Sequence, residues 1–248
     1  MSGKPVSRNV VCSGGSVFTV VPVAGAVLDE GEFAGFVPHR TMMPMQRKGK
    51  PVFRFMVYAY LIGSLPTAYL LTRWFAGRDI RQLGSRNAGT ANVVVNVGWL
   101  PGILTLLGDM GKGYLAALVG ELSSVPLLPF LTPACAIAGH NWPIWLGFHG
   151  GGGLATFVGG CLALTSWPVA LAGLALWGLL YLLCRDHDKS AVLACILLPC
   201  VVLFARESMH TVTFVATSSL AILLRRVQSI KEQARRWRHE TPRENQDS

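Results

Sequence analysis

A chain of 248 residues that is 51% hydrophobic, only 14% charged and formally charged +9 is not an ordinary soluble domain. Soluble domains carry about 25% charged residues, and here the apolar residues come in long blocks, so the composition excludes a water-exposed fold and points to a polytopic membrane protein. The basic excess sits in the N-terminal region, the first loop and the C-terminal tail, flanking apolar blocks as cytoplasmic segments do, which argues against nucleic-acid binding.

Residues 1–51 mix Gly, Ser, Pro and scattered charge, and are expected to form a poorly ordered, dispensable extension. Their one apolar run, Val17–Leu28, is too short to span a bilayer and contains Pro22 and Gly25. No basic start leads directly into it, so it does not read as a signal peptide.

Seven apolar segments follow: Phe53–Phe75 with Pro66 inside it, Val93–Val119, Pro126–Phe148, Leu154–Thr165, Trp167–Cys184, Ala191–Ala205 and Met209–Leu224. The expected fold is therefore all-α, a polytopic membrane protein of about seven transmembrane helices. The second segment is expected to break at Gly108-Asp109-Met110-Gly111-Lys112-Gly113, and the third at Gly139-His140-Asn141-Trp142-Pro143. Residues 52–226 would form the membrane domain and 227–248 a basic cytoplasmic tail. Arg225, Arg226, Lys231, Arg235, Arg236 and Arg238 place the C-terminus in the cytoplasm, and seven spans then place the N-terminus outside. Arg47, Lys48, Lys50 and Arg54 fall on the wrong side of that rule.

The chemistry-bearing stretch is Gly84-Ser85-Arg86-Asn87-Ala88-Gly89-Thr90-Ala91-Asn92. Glycines let successive backbone N–H groups point into one hollow, and hydroxyls and carboxamides add donors, which is equipment for holding a phosphate. Ser85, Arg86, Asn87, Gly89, Thr90 and Asn92 are the candidates there, against the plainer reading of a polar turn between helices. A second glycine run, Gly150–Gly153, falls on the same face and contributes Gly151 and Gly153, with His149 at its mouth. Asp109 and Lys112 are charges inside an apolar block, where an ionisable residue is costly, and their i,i+3 spacing also suits a structural ion pair. His140 stands at a helix break, where it could ligate a substrate oxygen or satisfy a freed carbonyl. No His, Cys or carboxylate group has metal spacing, no Walker, GxSxG or HExxH sequence occurs, and no cofactor is expected. Five of the six cysteines lie in or beside apolar blocks without a CxxC pair and read as small core residues.

Gly63-Ser64-Leu65-Pro66-Thr67-Ala68-Tyr69, the 84–92 loop, Asp109-Met110-Gly111-Lys112-Gly113 and Gly139-His140-Asn141-Trp142-Pro143 through Gly150–Gly153 and Thr156 resemble, in order and spacing, the motifs of the PlsY family. These are bacterial integral-membrane acyl-phosphate:glycerol-3-phosphate acyltransferases. The resemblance implies a seven-helix protein of the inner membrane. It would transfer a fatty acyl group from acyl phosphate to glycerol 3-phosphate, with Ser85, Lys112 and His140 among the catalytic candidates and Asp109 supporting them. The chain departs from the family pattern where Arg86 replaces a glycine, Thr90-Ala91 reverses Ala-Thr, Val95 replaces an arginine and Gly152 a lysine. Leu220 and Leu223 stand where the family has His and Asn, whereas Arg226 and Glu232 fit. On this reading Arg86 takes over from a lost cation, while Arg81 is an ordinary loop residue. The alternatives are a degenerate member of the fold that binds a phosphate-bearing lipid or partner, and, from another class, a small transporter. The absence of an internal repeat and the scarcity of intramembrane charge disfavour the transporter.

Overall fold

The computed structural model describes residues 8–12, 16–20, 52–164 and 166–240. The chain divides into two units, 1–45 and 46–248. In the first, strands β1 (Arg8–Cys12) and β2 (Ser16–Val20) pair antiparallel, with Arg8 opposite Val20 and Cys12 opposite Ser16. The all-α expectation therefore does not extend to this unit, and the rest of the expected disordered extension lies outside the described residues.

Within the described residues the second unit is helical. Helices α1 (Val52–Gly63) and α2 (Thr67–Ala76) are separated at Ser64-Leu65-Pro66, because proline has no N–H to continue a helix and disfavours helical geometry just before it. The first glycine loop leads into α3 (Thr90–Asn96) and α4 (Trp99–Glu121). Then come α5 (Leu128–Asn141), α6 (Leu154–Ala163), α7 (Trp167–Cys184), α8 (His187–Phe204) and α9 (Met209–Glu240). Among the described residues, three stretches are long and apolar enough to cross a membrane: Val52–Ala76, Trp99–Glu121 and Trp167–Cys184.

Two boundaries differ from those expected. The 108–113 stretch does not break its segment, since α4 runs through it. Its glycines mark close approach instead. A Cβ on Gly113 would land on the Thr156 carbonyl of α6, and one on Gly159 of α6 would strike the Met110 carbonyl of α4. The same device joins α1 to α5, where a Cβ on Gly63 would meet the Ala136 backbone and one on Gly139 the Tyr60 carbonyl. Between helices in lipid, where burial of apolar surface supplies little drive, such small-residue contacts let backbones approach and dispersion act. The second difference is that α9 passes position 226 without interruption and continues to Glu240.

The largest apolar core gathers Phe157, Phe214, Leu198, Val202 and Ile222 from α6, α8 and α9, with the Phe157 and Phe214 rings stacked at 5.3 Å. The glycine loops and the cleft between them lie at one end of this packing, where Arg225 and Arg226 of α9 reach the second loop.

Candidate active site

Four side chains from three helices meet inside the bundle. Asp109 of α4 accepts a hydrogen bond from the hydroxyl of Thr67 at the start of α2. The Lys112 ammonium lies 2.7 Å from the same carboxylate oxygen and donates to the Thr67 hydroxyl at 3.0 Å. His140, near the end of α5, turns Nδ1 toward Asp109 at 3.5 Å. Asp109, Lys112 and His140 are all buried. A buried carboxylate and ammonium persist only when paired and hydrogen-bonded, and here each has at least two polar neighbours.

This cluster forms one wall of a small open cleft. The lining combines Thr67 and Tyr69 of α2, Lys112, His140, Ala88 of the first glycine loop, and Gly150 and Gly151 of the second. The loops touch there. A Cβ on Gly151 would collide with the His140 ring and lie 2.8 Å from the Ala88 carbonyl, so only glycine fits between them. The backbone N–H groups of Gly150 and Gly151 donate to the carbonyls of Asn141 (3.2 Å) and His140 (3.0 Å), which folds the second loop back over the end of α5.

The first loop is organised by Asn92. Its buried carboxamide donates to the carbonyls of Ile80, Leu83 and Asn87, and its oxygen accepts from the Ser85 N–H at 3.2 Å and the Asn96 side chain at 2.8 Å. Asn92 thus shapes the loop, with its amide hydrogens directed at carbonyls. Gly89 caps α3, the Thr90 hydroxyl is buried without a hydrogen-bond partner among the described residues, and Asn87 is half-buried beside Gly89. Ser85 and Arg86 are exposed, and neither lines the cleft. Arg86 has φ 61°, the left-handed region that a glycine occupies without strain. His149 is exposed, and its Nδ1 meets the Gly147 carbonyl at 2.7 Å, so its contact is local to its own turn. Gly153 opens α6 with φ 81°.

Three residues gain a place that the sequence did not give them. Thr67 completes the buried charge cluster; a hydroxyl after Pro66 carries no sign of that. Arg81 is not an ordinary loop cation. Its guanidinium grips Asp79 through contacts of 2.7 to 3.2 Å, donates to the Leu146 carbonyl at 3.1 Å and lies over the Tyr69 ring. It thereby straps the first loop to the turn that precedes the second. This pairing holds the Asp79 carboxyl below its ordinary value and raises the Arg81 guanidinium. Arg225 is the third. It is buried and donates to the carbonyls of Gly151 and Gly150, both at 3.2 Å.

The departures from the family pattern also acquire positions. A Cβ on Gly152 would lie 2.8 Å from a terminal nitrogen of Arg226, so that guanidinium occupies the space over the glycine. Arg226 pairs with Asp188 at 2.9 Å. Asp188 is held in the first turn of α8, whose cap, Asp186, accepts from the N–H groups of Asp188 and Lys189. Val95 is exposed on α3. Leu220 is exposed on α9, and Leu223 packs against the apolar core.

A family model described as glycerol-3-phosphate acyltransferase matches residues 53–236. The chain is 40% identical over 177 residues to the glycerol-3-phosphate acyltransferase of Synechococcus sp. (strain CC9902), a match that covers 71% of this chain and 88% of the relative. It is 39% identical over 166 residues to glycerol-3-phosphate acyltransferase 2 of Moorella thermoacetica, covering 66% of this chain and 84% of the relative. Its fold is similar to the crystal structure of PlsY, an integral membrane glycerol 3-phosphate acyltransferase, in the glycerol 3-phosphate form. That similarity has a TM-score of 0.63 at 26% identity and covers 75% of this chain and 93% of the other.

Proposed function

The chain belongs to the glycerol-3-phosphate acyltransferase family, and on that premise we propose that it acylates glycerol 3-phosphate at the cleft between its two glycine loops, taking the acyl group from acyl phosphate. The product is lysophosphatidic acid, and the place of the reaction is phospholipid synthesis. The observation that carries this reading is the cleft itself, where both glycine loops meet Lys112 and His140.

Acyl phosphate is an activated donor, so the protein's task is mainly to hold two phosphate groups and aim a hydroxyl at the acyl carbon. In the proposed reaction the glycerol hydroxyl oxygen forms a bond to that carbon, the bond from carbon to phosphate oxygen breaks, and the hydroxyl proton leaves. Inorganic phosphate departs with the bonding electron pair. His140 suits the proton transfer, because Asp109 lies on its Nδ1 side and its Nε2 side faces Gly151 in the cleft. The Lys112 ammonium has three N–H donors; Asp109 and Thr67 take two, and the third suits an anionic substrate oxygen. Ser85 and the Thr90 hydroxyl would add donors from the first loop once a phosphate draws that loop inward.

The same reading takes the seven apolar segments as membrane spans in a bacterial inner membrane, with the glycine loops and α9's basic end in the cytoplasm. The acyl chain then lies among the helices while both phosphates stay at the cytoplasmic edge. The deciding experiment supplies purified protein with acyl phosphate and glycerol 3-phosphate and measures lysophosphatidic acid. Turnover is expected in the parent and should fall by about 10²-fold in His140→Gln, in line with the loss of a general base. A folded parent that forms no product would overturn the reading in favour of a non-catalytic member of the fold.

A further inference from the structure

Helix α9 has 32 residues and is about 48 Å long, well beyond the ~30 Å of a hydrocarbon core. Its two sides differ. One side holds the cytoplasmic loops: Arg225 reaches Gly150 and Gly151, Arg226 donates to Asp188 at 2.9 Å, and Gln233 reaches Asp188. The basic end of the helix is therefore fixed against the bundle.

The other side is an exposed stripe. Met209, Leu220, Leu224 and Val227 lie along it, and the next residues on the same face are Lys231 and Arg235, also exposed. Leu220 lies eleven residues, about three turns, after Met209, and spacings of three and four follow, which keeps all six on one line of the helix. From Met209 to Val227 this line runs about 27 Å, close to one hydrocarbon thickness, and Thr213 on it turns its hydroxyl back onto the Met209 carbonyl. Lys231 and Arg235 follow about 6 Å and 12 Å further on, at the depth of lipid headgroups.

We propose that Lys231 and Arg235, on the outer stripe of α9, bind the phosphate groups of anionic bilayer lipids. The proposal rests on the reading of α9 as a membrane span and is independent of the acyl transfer. Both cations continue a face that lipid tails must cover, so the molecules nearest to them are the headgroups of those same lipids. Charge complementarity then selects anionic headgroups over zwitterionic ones, and each basic residue near the surface contributes about a fivefold preference. Because the opposite side of α9 carries the bonds to Gly150 and Gly151, a lipid held here also steadies the helix that supports the second glycine loop.

The test uses the full chain in phosphatidylcholine bilayers doped with photoactivatable phosphatidylglycerol or photoactivatable phosphatidylcholine. Labelling of the peptide that contains α9 is quantified by mass spectrometry. Phosphatidylglycerol should label it preferentially, and Lys231→Gln with Arg235→Gln should weaken that preference by an order of magnitude or more, at fivefold per cation. The charge-conserving pair Lys231→Arg and Arg235→Lys should retain it, and salt should erode it. Equal labelling by the two lipids in the parent would overturn the proposal, as would an unchanged preference in the Gln variant, which would leave the cations to a soluble acidic partner. Displacement of the labelling by millimolar inorganic phosphate would reassign the site to free phosphate and also overturn it.

Discussion

Removing Arg81 should uncouple the two glycine loops. Arg81→Ala deletes the charge-assisted contacts to Asp79 and the 3.1 Å bond to the Leu146 carbonyl, and it uncovers the Tyr69 ring. Hydrogen bonds to charged groups contribute about 1.5–3 kcal/mol each, and partial exposure of the Arg81 and Asp79 side chains, 33% and 16%, reduces the sum. A net loss of about 1.5–2 kcal/mol in the closeness of the two loops is a fair magnitude. Since 1.4 kcal/mol is a factor of ten, kcat/KM should fall roughly tenfold if both loops must close on one substrate. Arg81 does not line the cleft, so the loss should come from positioning. Arg81→Lys should recover little of it, because an ammonium cannot grip both carboxylate oxygens and the carbonyl as the fork does. The assay is steady-state lysophosphatidic acid formation with each phosphate substrate varied in turn. An Arg81→Ala protein with parental kcat and KM for both substrates would refute the idea that the strap matters.

Three further outcomes are expected. Asp79 has its carboxyl lowered by the Arg81 hydrogen bonds, so it contributes stability that is complete above its ordinary value of 3.8 and is lost as pH falls through its lower folded value; thermal unfolding at pH 6 and below pH 4 should show a steeper acid loss in the parent than in Arg81→Ala. Arg86→Gly should raise the melting temperature, because a non-glycine residue at φ 61° costs about 1 kcal/mol, and it should also raise KM for a phosphate substrate if Arg86 aids binding; an unchanged KM would discard that role. Lys112→Met leaves Asp109 buried without its main partner and should cost about 3–5 kcal/mol, whereas Lys112→Met with Asp109→Leu should recover stability but not turnover, a combination that separates the pair's structural role from its catalytic one.

How much of this was legible in the sequence depends on the range of each interaction. The buried charges were legible because Asp109, Lys112 and His140 interrupt apolar runs, where an ionisable side chain needs a reason. The glycine loops were legible because their residue types have few other uses. The strap was not, since Arg81 and Leu146 are far apart in the chain and a loop arginine reads the same whether solvated or bonded. The glycines of 108–113 were misread as a break because glycine weakens an isolated helix; in the bundle Gly113 lets α4 lie against the Thr156 carbonyl, and packing outweighs propensity.

The losses counted along the C-terminal motif look different once α9 is a rigid helix. Ile222, Arg225 and Arg226 face the second glycine loop: a Cβ on Gly153 would lie 3.3 Å from Ile222, Arg225 bonds the carbonyls of Gly150 and Gly151, and Arg226 covers Gly152. Two residues along a helix turn about 200°, so position 220 points away from position 222, in keeping with the exposure of Leu220. Leu220 does not line the cleft. At position 152 the space that a side chain would enter already holds a guanidinium, anchored by Asp188. Arg226 itself fits the family pattern, so it fills the space over Gly152 without adding a cation to the motif.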